Sequence, residues 1–269
     1  MAMAEGTAAA GGELAGKLAV ISGGSRGIGR AIAERFVAEG ARVVIGARDQ
    51  GSLDEAVTAL NRRGEVCRGV RADLATAEGV NALVEVATGW GGIDILVNNV
   101  GGAPIGNFLT LTDEQFLGAW SLKLLAGIRL TRAAVPQMTE RGGGSIINII
   151  GVGGREPNAE ATTIGTTNAA IRALTKGLSR DLAGKGIRIN AITPGRVRTE
   201  RNVTLTQQAA DARGVPFEVI EGEGLASIPM KRLVEPSEVA EVALLLAGPR
   251  VPSLTGAEIV IDGGQTHYI

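Results

Sequence analysis

The stretch Ser22-Gly-Gly-Ser-Arg-Gly-Ile-Gly29 decides the fold of this chain. It follows a short apolar run and precedes a segment with helical spacing of apolar residues. Glycines at a strand-to-helix turn let the backbone approach a pyrophosphate, and the helix N-terminus then faces the anion. The glycines Gly23, Gly27 and Gly29 are spaced Gly-x-x-x-Gly-x-Gly rather than Gly-x-Gly-x-x-Gly. Such a loop alone can be a tight turn, but its place after the first strand predicts a dinucleotide site.

The rest of the chain alternates between apolar runs and helical patterns. The predicted strands are 17–22, 41–46, 65–70, 93–97, 144–150, 187–192 and 257–262, and the predicted helices are 30–39, 53–63, 77–89, 113–138, 163–183 and 235–246. Continuous apolar strands separated by helices are typical of a parallel sheet with helices on both faces. We therefore predict one doubly wound α/β domain of about seven parallel strands over residues 13–269. The Ala- and Gly-rich residues 1–12 are predicted to be a disordered tail, and the irregular stretch 196–233 a lid or substrate region.

The composition excludes several classes of function. Lys and Arg total 27 and Asp and Glu total 28, a net charge of −1 that argues against a nucleic-acid partner. Cys67 is the only cysteine and His267 the only histidine, so we expect no intrachain disulfide, no metal site and no histidine-based triad. The sequence contains no apolar run long enough to span a membrane, and its N-terminus does not show a signal-peptide pattern. A cytoplasmic location is therefore expected.

Six motifs follow one another in a familiar order. They are Ser22–Gly29, Asp73-Leu74, Asn98-Asn-Val-Gly101, Pro194-Gly195, Thr199 and Asp262-Gly-Gly264. In this order and at about this spacing, from Leu14 to Gly264, the chain resembles the short-chain dehydrogenases/reductases. The resemblance implies a Rossmann-type sheet and a nicotinamide cofactor lying across the carboxyl ends of its strands.

The resemblance also implies which residues contact that cofactor. Asp73 and Leu74 would meet the adenine, Asn99 and Gly101 would line the pocket beside the ribose, and the segment after Pro194 would hold the nicotinamide side. The complete predicted set is Ser22, Gly23, Ser25, Arg26, Gly27, Ile28, Gly29, Arg48, Asp73, Leu74, Asn99, Val100, Gly101, Pro194, Gly195, Val197 and Thr199.

The end of the second strand bears on the choice between NAD(H) and NADP(H). A carboxylate there would accept hydrogen bonds from the ribose 2′-hydroxyl and repel a 2′-phosphate. This chain has Ala47 at that position, followed by Arg48, while Arg26 lies in the glycine loop and Asp49 comes one residue too late. Two guanidinium groups can bind a phosphate with charge-assisted hydrogen bonds. We predict NADP(H) over NAD(H); the alternative is that both arginines are simply solvated.

The family's catalytic pattern is replaced at all four positions. The resemblance implies Asn, Ser, Tyr and Lys, where this chain has Lys123, Gly151, Ile164 and Asn168. Tyr268 is the only tyrosine, so the usual carbonyl reduction with tyrosine as general acid is not supported. The asparagine and lysine are exchanged, which makes Lys123 and Asn168 the candidate catalytic pair. The alternative is that Lys123 is an ordinary surface or interface lysine.

Other polar residues lie near the expected substrate region. Thr163 is predicted to be the N-cap of its helix, and Arg155 and Glu156 are expected in a solvated loop. His267 and Tyr268 are expected in a frayed tail. Arginines 196, 198 and 201 either meet a cofactor phosphate or an acidic substrate, or face solvent.

These patterns predict an NADP(H)-dependent oxidoreductase for a small, apolar carbonyl or activated-alkene substrate. The apolar side chains within 196–233 indicate a hydrophobic substrate; they are Val203, Leu205, Val215, Phe217, Val219 and Ile220. A lyase, isomerase or dehydratase, or a catalytically inactive nucleotide-binding protein on the same fold, are the alternatives. The resemblance implies a homotetramer, or a dimer, formed through helices 113–138 and 163–183.

Overall fold

A computed structural model describes residues 11–268, and the prediction of a disordered tail falls mostly on residues 1–10, outside them. One seven-stranded sheet runs through the described part, with the order β3-β2-β1-β4-β5-β6-β7 and parallel pairing throughout. The strands are β1 Leu18–Ser22, β2 Arg42–Ala47, β3 Cys67–Arg71, β4 Ile95–Asn98, β5 Gly144–Ile149, β6 Ile187–Pro194 and β7 Glu258–Ile261. The predicted doubly wound sheet is confirmed.

Helices cover both faces of this sheet. They are α1 Gly27–Ala38, α2 Gln50–Leu60, α3 Ala77–Gly89, α4 Asp113–Ala119, α5 Ala126–Glu140, α6 Thr162–Leu182, α7 Glu200–Arg213, α8 Phe217–Ala226 and α9 Pro236–Ala247. Apolar residues of α1, α2 and α9 form the core on one face, and those of α3 and α5 the core on the other. Among residues 11–268, no helix has the length and apolar character needed to cross a bilayer.

The helical stretch predicted over 113–138 is present, but it is not α-helical throughout. A π-helical segment, Trp120–Leu125, separates α4 from α5, and the Ala126 N–H donates to the Ser121 carbonyl five residues earlier. A π turn adds a residue to the α-helical turn and so rotates the following side chains by about 100°. The predicted long helical stretch is therefore present, but its π turn was not predicted, because apolar periodicity does not detect a shift of one residue. Lys123 lies within this segment, and π turns are frequent at functional sites.

The stretch 196–233 is more regular than its sequence indicates. It contains the helices α7 and α8, separated by Gly214 in the left-handed conformation (φ 64°). A bridge between Val197 and Val234 closes the base of the segment. The two helices carry few buried apolar side chains, so a helical period is hard to detect there.

Candidate functional site

The glycine loop lies where the strand order reverses. Because β1 neighbours both β2 and β4, the carboxyl ends of β1 and β4 meet at a topological switch point, where α/β sheets bind ligands. The Ser22 hydroxyl accepts hydrogen bonds from the backbone N–H groups of Asn99 (2.9 Å) and Val100 (3.1 Å). It also donates to the Val97 carbonyl (3.3 Å). These bonds hold the loop after β4 against the glycine loop.

The predicted glycines are required by close backbone approach. Gly23 and Gly27 have positive φ angles of 71° and 53°, which side chains rarely adopt. A Cβ on Gly29 would lie 2.2 Å from the Gly23 carbonyl oxygen and 2.6 Å from Asn99 Nδ2. The Asn99 amide donates to the Ser22 and Gly23 carbonyls at 3.1 and 3.0 Å. The loop is therefore packed backbone to backbone and leaves the start of α1 free of side chains.

An open cavity of about 370 Å³ adjoins this loop. It is lined by Ser25, Arg26, Gly27, Arg30, Ser52, Glu55, Arg198, Thr199 and Glu200. The lining combines a helix N-terminus, hydroxyl groups and several guanidinium groups, a donor set that fits phosphate. The residues present thus fit a phosphate-bearing nucleotide.

The remaining predicted cofactor residues lie along the same edge of the sheet. Thr199 caps α7, and its Cγ2 is 3.2 Å from the position of a Gly27 Cβ. Pro194 ends β6, and the Gly195 N–H donates to the Ile261 carbonyl (2.9 Å). Asp73 is exposed after β3, and Leu74 next to it is buried.

The two arginines near the end of β2 differ in their surroundings. Arg26 pairs with Asp49 (2.9 Å) and with Glu200 (3.3 Å), while Arg48 is exposed. Asp49 also accepts from the Ser52 N–H, and this bond is the largest cause of the lowered pKa of the Asp49 carboxyl. Sequence reasoning missed Glu200, because its partner Arg26 is 174 residues away.

Lys123 and Asn168 are in direct contact. The Lys123 Nζ donates to Asn168 Oδ1 at 2.7 Å, and the Asn168 Nδ2 donates to the Gly151 carbonyl at 3.4 Å. Asn168 is buried on α6. The aliphatic stem of Lys123 packs against Gly101, and its Cδ lies 3.1 Å from the position that a Cβ on Gly101 would occupy. Ile164, one turn before Asn168, has no group that transfers a proton. The exchanged pair thus lies beside the loop that follows β4.

The ammonium of Lys123 titrates in an unusual range. The pKa of Lys123 is lowered from 10.5 to about 8. The main cause is desolvation by burial, and the second is the positive charge of Arg201. Near this pH the amine is present in both protonation states. A group with such a pKa can give and take protons efficiently near neutral pH.

A second cavity, of about 360 Å³, lies between the chain after Gly102 and helix α7. Its lining residues are Ala103, Pro104, Ile105, Arg201, Thr204, Leu205 and Gln208. The Thr163 hydroxyl donates to the Pro104 carbonyl (2.6 Å) and anchors the loop. The N-cap of α6 is Ala161, so the prediction that Thr163 caps this helix was wrong. The Thr163 hydroxyl is used instead for the hydrogen bond to Pro104, a residue distant in the sequence.

A series of hydrogen bonds between buried side chains connects the elements that carry the site. Asn98 Nδ2 donates to Asn148 Oδ1, and Asn148 Nδ2 donates to Thr175 Oγ1, each at 2.9 Å. This series connects β4, β5 and α6, which carry the residues around Lys123. Sequence reasoning missed it; the available signal was an asparagine, Asn148, inside an otherwise apolar buried strand.

The C-terminal residues pack onto the loop after β5. The Tyr268 ring lies over the Arg155 guanidinium, 4.6 Å away, and the His267 N–H donates to Glu156. Arg155 also pairs at 2.9 Å with Glu258, whose side chain is 9% exposed. The expectations of a solvated loop and a frayed tail were therefore wrong for Arg155, Glu156 and Tyr268, because charge pairing and ring stacking across the fold hold them.

Comparison with known proteins agrees with this architecture. The family model described as enoyl-(acyl carrier protein) reductase matches residues 23–266. An uncharacterized oxidoreductase of Mycobacterium bovis is 37% identical over 93% of this chain and 96% of its own length. The oxidoreductase UcpA of Escherichia coli (strain K12) is 36% identical over 95% and 96%.

Solved structures are also similar. The L-sorbose reductase of Gluconobacter frateurii, complexed with NADPH and L-sorbose, superposes with a TM-score of 0.90 at 34% identity, covering 95% of this chain and 98% of that one. An actinorhodin polyketide ketoreductase variant with NADPH gives 0.89 at 32% identity, covering 94% and 98%. The chain belongs to the short-chain dehydrogenase/reductase family of oxidoreductases.

Proposed function

We propose that this chain is an NADP(H)-dependent oxidoreductase in which Lys123 transfers the proton that a tyrosine transfers elsewhere in the family. The observation that carries the proposal is the 2.7 Å contact between Lys123 Nζ and Asn168 Oδ1, next to a glycine loop shaped for a nucleotide. The lowered pKa of Lys123 supports a proton-transfer role.

The nucleotide side of the proposal rests on the donors around the glycine loop. The backbone N–H groups at the start of α1 would bind the pyrophosphate. Arg26 and Arg48 would bind the 2′-phosphate, since Ala47 offers no carboxylate to repel it. Structures of similar reductases contain NADPH. A bound nicotinamide would supply hydride to the substrate or accept it.

The protein's own groups would then manage the proton and the substrate. In reduction, the Lys123 ammonium gives one proton to the oxygen of a carbonyl, or to the carbon beside the one that gains hydride in an activated alkene. Asn168 holds the amine through Oδ1, and its Nδ2 is anchored on the Gly151 carbonyl. Ile164 contributes only apolar surface. The cavity beside α7 would hold the substrate, and residues 196–233 would form its cover.

Calorimetric titration with NADPH and NADH tests the first half of the proposal. We expect NADPH to bind more tightly. Turnover of a panel of ketones and enones tests the second half, comparing the native protein with Lys123→Met. We expect this variant to lose about 10²- to 10⁴-fold in kcat.

The control is Lys185→Met, which removes an exposed ammonium that pairs with Asp181 at the far end of α6. Unchanged turnover in Lys123→Met would refute the role of Lys123. Binding of neither nucleotide would refute the oxidoreductase and leave a non-redox or inactive protein. NADPH binding without turnover on any substrate would favour the inactive nucleotide-binding protein.

We further propose assembly into a homotetramer, or a dimer, through the helices around 113–138 and 163–183. Leu117 and Leu125 are 57% and 38% exposed on this face, and Phe108 and Leu109 next to it are also exposed. Apolar side chains in such a cluster favour burial by another copy. Sedimentation velocity tests this: Leu117→Glu should shift the protein to smaller species, and a native monomer would contradict the proposal.

A further inference from the structure

Three arginines follow β6, and the structure separates their roles. Arg196 donates to Thr206 (3.3 Å) and occupies the space above Gly224, so it fastens α7 and α8 together. Arg198 pairs with Glu235 at 2.7 Å. Arg201 forms no ion pair and no hydrogen bond with any residue between 11 and 268. The unpaired guanidinium is the one that lines the second cavity.

The residues that line the cavity beside Arg201 include no carboxylate. The cavity lining adds the polar groups of Thr204 and Gln208 and the apolar side chains of Leu205 and Ile105. Arg201 Nη1 lies 3.5 Å from the position that a Cβ on Gly102 would occupy. The preceding residue, Gly101, is the glycine against which Lys123 packs. The neighbouring Glu200 is engaged with Arg26 on the other side.

Such a cavity favours an anion with an apolar body. A guanidinium binds a carboxylate through two parallel hydrogen bonds. The positive charges of Arg201 and Lys123 together raise the local concentration of anionic ligands. The charge of Arg201 also lowers the pKa of Lys123, so a carboxylate bound between them would offset their mutual repulsion.

We propose that the substrate is a carboxylate with a short apolar chain and that Arg201 binds its carboxylate and sets the preference for acids over neutral analogues. This inference rests on the proposed function, because it names the substrate class of the same site. It favours one of the alternatives that the sequence left open for Arg201, an acidic substrate, and combines it with the expected apolar character. The apolar chain of the substrate packs on Ile105 and Leu205, and its carboxylate reaches Arg201.

Calorimetry with matched acids and amides tests the inference. Butanoate, hexanoate and octanoate are titrated against butanamide, hexanamide and octanamide, on the full chain with and without NADP⁺. For at least one chain length, we expect the acid to bind roughly 10- to 100-fold more tightly than its amide. Arg201→Gln should abolish this preference, and Arg201→Lys should retain part of it.

The control is Arg62→Gln, which removes the same charge from an exposed position before β3. It should keep the acid preference. Equal binding of acids and amides, no binding of any acid, or an acid preference that survives in Arg201→Gln would each overturn the inference. Circular dichroism checks folding of each variant, and Arg201→Lys keeps the test decisive if Arg201→Gln does not fold.

The two proposals fail separately. Loss of NADPH binding in the native protein would refute the oxidoreductase, while the titrations without NADP⁺ would still report on Arg201. Conversely, NADPH binding and turnover combined with equal binding of acids and amides would refute only the substrate class.

Discussion

The glycine loop and the Lys123–Asn168 contact are the proposed nucleotide and proton-transfer ends of the site. They lie along the same edge of the sheet, but they differ in how much of the pattern implied by the resemblance they keep. At the nucleotide end, Gly23, Gly27 and Gly29 are all present and tightly packed. At the other end, the four positions where the resemblance implies tyrosine, serine, lysine and asparagine hold Ile164, Gly151, Asn168 and Lys123. In our proposal, the first region binds the nucleotide through its backbone, and the second transfers a proton through its side chains.

This difference teaches which kind of site tolerates exchange. At Gly29 the backbone of the glycine loop lies so close to the Gly23 carbonyl that any Cβ would collide with it. Only glycine therefore fits at this position. A proton donor, by contrast, can come from any element that reaches the same point. Lys123 reaches Asn168 from the π-helical segment, on the other side of the loop after β4.

Substitution of Gly29 should give the largest effect. In Gly29→Val, atoms would lie within 2.2 Å of the Gly23 carbonyl oxygen, so the loop must open. We expect a loss of several kcal/mol of stability or at least about 100-fold weaker NADPH binding. Urea unfolding and calorimetry measure both.

The matched control is Gly222→Ala, within α8, where an added Cβ meets no atom within 4 Å. It should stabilise the fold by up to about 1 kcal/mol. Native-like NADPH affinity in a folded Gly29→Val would contradict the backbone argument.

Changing the end of β2 should alter the choice of nucleotide. Ala47→Asp places a carboxylate where it would repel a 2′-phosphate and accept from a 2′-hydroxyl. Combined with Arg48→Ala, it should weaken NADPH binding about 10- to 100-fold and leave NADH binding equal or tighter. The ratio of the two Kd values is the measurement. A ratio that stays the same would show that other groups select the nucleotide.

Lys123 should also cost stability in a pH-dependent way. Its folded-state pKa of about 8 is below the ordinary 10.5, so the unfolded chain binds more protons between these values and stability rises with pH through that window. At pH 7 the charged form is penalised. Lys123→Met should therefore stabilise the fold by about 1–2 kcal/mol, although methionine cannot donate the hydrogen bond to Asn168.

Urea unfolding at pH 7 and pH 10 checks this, because the advantage of Lys123→Met should shrink at pH 10. Lys185→Met, with its exposed ammonium, should show no such trend. A variant that is less stable than the native protein at pH 7 would show that the ammonium is well accommodated.

The smallest effect is expected at Tyr268. Its hydroxyl is buried and makes no hydrogen bond within residues 11–268, and burial raises the pKa of the phenol. Tyr268→Phe should therefore change stability by less than about 0.5 kcal/mol and leave kcat within twofold, as steady-state kinetics would show. A large loss of kcat would move the proton-transfer role from Lys123 to the chain's only tyrosine.

Much of the fold was predictable from the sequence because its signals are local. Continuous apolar runs, terminal glycines and helical spacing predict seven strands and the helices around them. The same holds for the glycine loop between the first strand and the first helix. The π-helical segment was missed because apolar periodicity does not detect a shift of one residue, and the helices within 196–233 because they carry few buried apolar side chains. The packing of Tyr268 was missed because it depends on contacts between residues far apart in the chain.

By itself, the sequence determined the doubly wound sheet and the position of the glycine loop at the end of its first strand. These follow from periodicity and from residue types, which are properties of the chain alone. Only the tertiary structure decided that Lys123 reaches Asn168, and that Arg201 lines a cavity while Arg196 is hydrogen-bonded to Thr206 and Arg198 is paired with Glu235. The reason is physical: the pKa and the partner of a charged side chain depend on burial and on the charges that folding brings near it.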